Sequence, residues 1–236
     1  MIYVPTILAL FGCSSKDNQE YKKTEILTNI LVANSIDSNS LTQNQKKAQF
    51  TLELKIKDLE SKNYKEAIKE VKTPEEDTAY CLYFLKYFPE KADTFSSFKE
   101  IHKKKIDDCD GGAYTAAALL SDNGHPLKVL TLADSTKNGH MLFLYENKRG
   151  GFGTIGIFPA DNIPATNKNI NEIIQIYNER TGKNYTEYKI FGISEKQKDF
   201  ISGKGKPAFD LEEQSGNKLK KTKIKEKDIM IILRLC

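Results

Sequence analysis

Apolar residues in the first half of the chain recur mostly at helical spacing, and those in the middle alternate as strands do. Ile26, Leu27, Ile30 and Leu31 predict a short helix inside an otherwise polar stretch from Lys16 to Ser40, which reads as a tether. Between Gln45 and Leu59, Phe50, Leu52, Leu54 and Ile56 alternate while Leu52, Ile56 and Leu59 fit a helix. The Lys, Glu, Leu and Ala content, without Gly or Pro, favours the helix. A second helix, Tyr64 to Val71, carries Ala67, Ile68 and Val71. Thr73-Pro74-Glu75-Glu76 opens a third, with Thr73 as N-cap, Pro74 in the first helical position and Glu76 completing a capping box. That helix is predicted to run to Pro89.

Cys109-Asp110-Gly111-Gly112 leads into an Ala-rich helix that Asn123-Gly124 ends. Ala113, Ala116, Ala117 and Leu120 share one face, and Cys109 falls on that face one turn earlier. Three strands follow, Lys128 to Leu132, His140 to Tyr145 and Phe152 to Phe158, the last two joined by the hairpin-length loop Asn147 to Gly151. His140, Leu142 and Leu144 share a strand face. Ile170 to Arg180 is a helix ended by Gly182. Lys196 to Lys227 is Lys-rich and reads as a flexible arm, and Asp228 to Leu235 as a strand. The expected organisation is a leader over 1–15, a tether over 16–40, an α+β domain over 41–195, and an arm with a terminal strand over 196–236.

With 236 residues the chain is long enough to form a core without disulfide staples, so its four cysteines need not be a scaffold. Net charge is +4, and all of the 36 basic residues but Arg149, Arg180 and Arg234 are Lys. Lys is a hydrated point charge, whereas phosphate and base readers favour the Arg fork; acidic residues also interleave with the lysines. This composition argues against nucleic acid as a partner.

Met1 to Phe11 is apolar and ends in Gly12-Cys13-Ser14-Ser15, similar to a bacterial lipoprotein signal in which a small residue precedes a Cys that is lipidated. Phe11 is bulky for that pattern, and no Lys or Arg precedes the run. A lipidated Cys13 would attach the protein to a membrane at the cell envelope; an ordinary buried N-terminal segment would leave it cytoplasmic. The run is about half of the roughly 20 residues a membrane span needs.

A nucleophilic thiol needs a lowered pKa, which helix N-terminal amides and a nearby imidazole supply. Cys109 and His140 provide that pair, provided the strand edge packs on the first turn of the helix. Cys81 reads as core, Cys236 carries no reading, and no Cys/His spacing fits a metal site. His102 and His125 read as exposed and passive. Gly150-Gly151-Phe152-Gly153 precedes no helix, which argues against a phosphate loop.

Cys109-Asp110-Gly111-Gly112-Ala113, Ala116 to Leu120, Gly124-His125-Pro126, Val129 to Leu132, Gly139-His140 and Gly151 to Gly156 together resemble the transglutaminase-like superfamily over about residues 95–164. The resemblance implies a papain-like fold, with a Cys-bearing helix packed on an antiparallel sheet, and acyl transfer through a thioester: hydrolysis of a peptide or amide bond, or transfer to an amine. The implied substrate is a protein, a peptide or a peptidoglycan-type chain, with no cofactor. Cys109 matches the nucleophile and His140 the general base. The acid expected opposite His140 is absent from Gly156 to Pro159. Asp161 is favoured for the third position, with Asn162, Thr154 and Asp134 as alternatives. No Gln stands upstream as an oxyanion donor, so backbone amides at Asp110 and Gly111 are expected to serve. Asp107, Asp108 and Asp110 either oppose thiolate formation or turn outward as favourable charges at the helix N-terminus. The alternative to an enzyme is an inactive binding module of the same fold, tethered to a surface.

Overall fold

A computed structural model describes residues 43–89, 95–136, 139–204 and 211–213. The expected Cys13 lipidation, the tether helix and the strand over 228–235 lie outside the described residues. The class is α+β. Helices α1 (Gln43–Leu59), α2 (Tyr64–Glu70), α3 (Pro74–Phe84), α4 (Phe98–Lys104) and α5 (Cys109–Leu119) precede the main sheet; strands β1 (Lys86–Tyr87) and β2 (Ile106–Asp107) form a short parallel pair among them. Then come β3 (Lys128–Asp134), β4 (Gly139–Glu146), β5 (Phe152–Ile155), a 3₁₀ turn at Pro159–Asp161, β6 (Ile163–Asn167), α6 (Ile170–Thr181), β7 (Tyr185–Ile193), α7 (Glu195–Ile201) and β8 (Leu211–Glu213).

The helix starts follow from side-chain caps. Asn63 with Glu66, and Ser97 with Glu100, form reciprocal capping boxes. Thr73 caps α3 through the Glu76 amide, but Glu76 reaches back to the Lys72 amide instead of closing the box. α3 stops at Phe84, short of Pro89, because the chain turns extended at Leu85 to pair β1 with β2.

The six strands of the main sheet are ordered β6-β5-β4-β3-β7-β8, each antiparallel to its neighbour. Gly150, with φ of 78°, turns the β4–β5 hairpin. After β6 the chain must cross from one edge of the sheet to the far side of β3, and α6 makes that crossing over one face. The sheet therefore has two apolar faces. Met141, Phe143 and Tyr145 face a core built with α1 to α5 and α7, while Leu142 and Leu144 face α6 through Ile173, Ile174 and Tyr177. α5 is buried along its whole length, and its alanines let it lie close on β4. Gly112 is part of that closeness, since a Cβ there would stand 3.1 Å from Ile157 Cβ.

The expected boundary at residue 195 is corrected. α7 packs on α5, with Phe200 and Ile201 in the first core, so the domain extends beyond the start of the expected arm. No described helix is long and apolar enough to cross a membrane.

Candidate active site

His140 is the second residue of β4, and its side chain is buried against α6. Its Nε2 lies 2.9 Å from Asp161 Oδ1, and its ring stacks on Tyr177 at 5.3 Å. Asp161 is fully buried and accepts two further bonds, from Tyr177 Oη at 3.1 Å and from the Phe158 amide at 2.8 Å. A carboxylate with that many donors on it is an acceptor, so Nε2 carries the proton and Nδ1 is the nitrogen left to act as a base.

The turn that delivers Asp161 is braced on all sides. Thr154 Oγ1 donates to the Asp161 carbonyl at 2.6 Å, and Asn162 Nδ2 to the Phe158 carbonyl at 2.7 Å. Arg180 holds the Asn162 carbonyl at 3.0 Å. Gly156 leaves the space the carboxylate uses, because a Cβ there would come within 2.5 Å of Asp161 Oδ2. Thr154 and Asn162, two alternatives for the third position, are thus supports of Asp161. Asp134 instead caps its own turn through Thr136.

Cys109 is the first residue of α5 and is buried. Its sulfur is disulfide-bonded. Among the described residues the His140 ring bonds to Asp161. Strand register sets the faces: His140 belongs to the face that α6 covers, whereas α5 covers the opposite face, so the expectation that strand packing alone would bring the imidazole onto the thiol is corrected. A chain of ring contacts leads from His140 toward the strand that precedes α5. The Phe158 ring lies 6.3 Å from that of His140 and 4.8 Å from that of Tyr87, and Tyr87 is in register with Asp107, two residues before Cys109.

The three acids beside the thiol are buried and turned inward. Their Oδ1 atoms accept from backbone amides: Asp107 from Asp108 at 2.9 Å, Asp108 from Asp110 at 3.2 Å, Asp110 from Gly111 at 2.8 Å. The expected oxyanion donors are therefore corrected: the Asp110 and Gly111 amides are already spent on carboxylates. Burial, then the hydrogen bond with Asp108 and the charges of Asp108 and Asp107, holds the Asp110 carboxyl well above the usual range. One carboxylate oxygen from each of the three lies within 4.8 Å of the others, close enough to share a cation, although the amides compete for them.

Other expectations resolve by packing. Cys81 is core, and its thiol donates to Asp77 Oδ1 at 3.6 Å. His102 is not passive: it sits half-buried between Tyr80 Oη at 2.6 Å and the Lys62 carbonyl at 2.9 Å. Lys105 Nζ reaches the same Tyr80 Oη at 3.1 Å, and burial pushes its pKa down to about 8. A cavity of about 700 Å³, lined by Glu75, His125, Tyr145, Glu146 and Pro164 among others, lies at the far end of β4 and includes none of Cys109, His140 or Asp161. Compared with known proteins, the chain matches no family model and no curated sequence.

Proposed function

We propose that the protein is a cysteine-dependent acyl-transfer enzyme of transglutaminase-like, papain-like design, acting on peptide or amide bonds. The observation that carries this reading is the 2.9 Å bond from His140 Nε2 to the buried Asp161, the residue favoured for the third position. A buried carboxylate orients the imidazole and stabilises its charged form, the role of the third member of a catalytic triad. Cys109, at the N-terminus of an eleven-residue helix, is the nucleophile once reduced. The thiolate attacks the substrate carbonyl, His140 Nδ1 takes the thiol proton and gives it to the leaving amine, and water or a second amine resolves the thioester.

The test is alkylation of the reduced protein by iodoacetamide, with the labelled thiols mapped by mass. Cys109 is expected to react well ahead of Cys81, and His140→Ala to slow it about tenfold or more. Equal labelling of Cys109 with and without His140 would sink the catalytic pair. A second reading, an inactive binding module, draws on the disulfide at Cys109 and on the opposite sheet faces that α5 and His140 occupy. It fails if the reduced protein hydrolyses a peptide amide and Cys109→Ala does not.

A further inference from the structure

His102, in the last turn of α4, belongs to a polar cluster that the candidate active site does not use. Its Nε2 stands 2.9 Å from the Lys62 carbonyl, in the turn between α1 and α2, and its Nδ1 stands 2.6 Å from Tyr80 Oη on α3. A carbonyl only accepts, so Nε2 carries the hydrogen and Nδ1 accepts from the tyrosine hydroxyl. The ring also lies edge-on to Phe98 at 5.5 Å and stacks on Tyr80 at 6.1 Å. One neutral imidazole thus ties α4 to two other elements.

Lys105 completes the cluster. It is the C-cap of α4 and has a φ of 59°, a left-handed conformation that usually selects Gly. Its ammonium group lies over the Phe84 ring at 4.6 Å and the Tyr80 ring at 5.3 Å, and donates to Tyr80 Oη at 3.1 Å. The same nitrogen is 3.3 Å from His102 Nδ1. Protonating His102 would therefore turn Nδ1 from acceptor to donor and take away the acceptor of the Tyr80 hydrogen. It would also set two cations 3.3 Å apart in a half-buried site.

The surrounding charges leave that conflict in place. Burial holds the imidazole below its ordinary pKa; the bond to the Lys62 carbonyl opposes this, and the Lys105 charge adds to it. Glu60 favours the charged form of Lys105, the Lys62 ammonium is turned to Asp58 and Glu70, and Asp77 and Cys81 act on Tyr80. On α4 itself Glu100 is bonded to Ser97, and Lys103 and Lys104 are exposed. With the folded-state pKa lowered, the stability that His102 supplies is full above the ordinary histidine value. It is lost as pH falls through the folded-state value.

We propose that His102 is an acid-sensitive latch, whose protonation loosens α4 and the following β2 from α3 and from the turn between α1 and α2. β2 leads directly into Asp108 and Cys109, so the loosened segment is the one that sets where α5 begins. The latch is independent of the acyl-transfer reading and stands or falls without it.

The test uses the full-length protein. Deuterium exchange over residues 98–107, corrected for the intrinsic effect of pH on exchange, is compared at about pH 7.5 and about pH 5. The wild type is expected to exchange about tenfold or more faster in this segment at the lower pH. His102→Gln, which has a donor and an acceptor but takes no proton, should remove that difference. Alongside, an NMR titration follows the three histidines of the wild type, so the outcome does not hang on the folding of a variant. His102 should titrate below about 6.5, and Lys105→Met should raise its midpoint by removing the second cation. Equal exchange at the two pH values, a difference that survives in His102→Gln, or a His102 midpoint at or above the ordinary value overturns the proposal.

Discussion

Asp161 has no exposed surface and holds three donors, the His140 Nε2–H, the Tyr177 hydroxyl and the Phe158 amide. Tyr177→Phe removes one bond and leaves no donor stranded, so it should cost about 0.5–1.5 kcal/mol of unfolding free energy. Asp161→Ala strands three donors inside the protein and should cost about 3 kcal/mol or more. Urea unfolding of the two variants separates these outcomes, and equal costs would show that the buried bonds contribute little. Asp77 is a contrasting carboxylate. It too is fully buried, but it has only the Cys81 thiol as a partner, and its Oδ2 has none. Burial therefore lifts its pKa well above the usual range, against a small opposing effect of the Cys81 hydrogen bond; Tyr80 and Tyr145 are the other titratable groups near it. With the folded-state pKa above the unfolded one, stability attributable to this group is complete below the ordinary carboxylate range. It is lost as pH rises through the folded-state value. Asp77→Asn should thus unfold at higher urea than the parent at pH 8, by on the order of 1 kcal/mol, with the advantage shrinking toward pH 4. A constant difference across that range would mean that the folded-state pKa of Asp77 is not raised above its unfolded value. Neither environment could be read from sequence, because nothing in a local pattern says which acid lacks a second donor.

Gly156 connects the end of β5 to the turn that bears Asp161, and its missing Cβ is what the carboxylate fills. Gly156→Ala should push Asp161 off Nε2, cost about 1–3 kcal/mol through overpacking, and slow Cys109 alkylation as His140→Ala does. A stable variant with unaltered alkylation would show that the turn can yield without loss. The element pattern explains why this link was only half legible. Phe152, Ile155, Ile157 and Phe158 read as one long strand, so the sequence placed Phe158 and its neighbours opposite His140. The strand in fact ends at Ile155, and a 3₁₀ turn carries Asp161 back to the imidazole. The capped helices were readable, since Pro74 and the Cys109-Asp110-Gly111-Gly112 start are local signals. β6 was not, because Pro164 interrupts it. Nor was β7, whose Thr186, Glu187, Tyr188 and Lys189 are all exposed and leave no alternation to detect.

At the scale of the whole molecule, the assignment of sheet faces decides where the chemistry sits. A local alternation rule puts His140 with Leu142 and Leu144, but it cannot say that α6 rather than α5 covers that face. That depends on β7 pairing with β3, a contact between residues about 60 positions apart in a chain whose connection crosses the sheet. The same long-range packing moves the domain boundary. Phe200 and Ile201 lie in a stretch whose lysines and following glycines read as an arm, yet they close the first core against α5 and leave almost no surface exposed. Ser194 caps this helix by accepting the Gln197 amide, and Gln197 is itself fully buried. Phe200→Ala in the full-length chain removes a buried ring at the base of the Cys109 helix, and should cost about 3–5 kcal/mol. A mobile arm would instead tolerate the change within about 0.5 kcal/mol, as surface positions do. Urea unfolding followed by far-UV circular dichroism distinguishes the two. A lowered midpoint with an unchanged slope places α7 inside the cooperative unit that holds α5, whereas an unchanged midpoint would detach α7 from the domain.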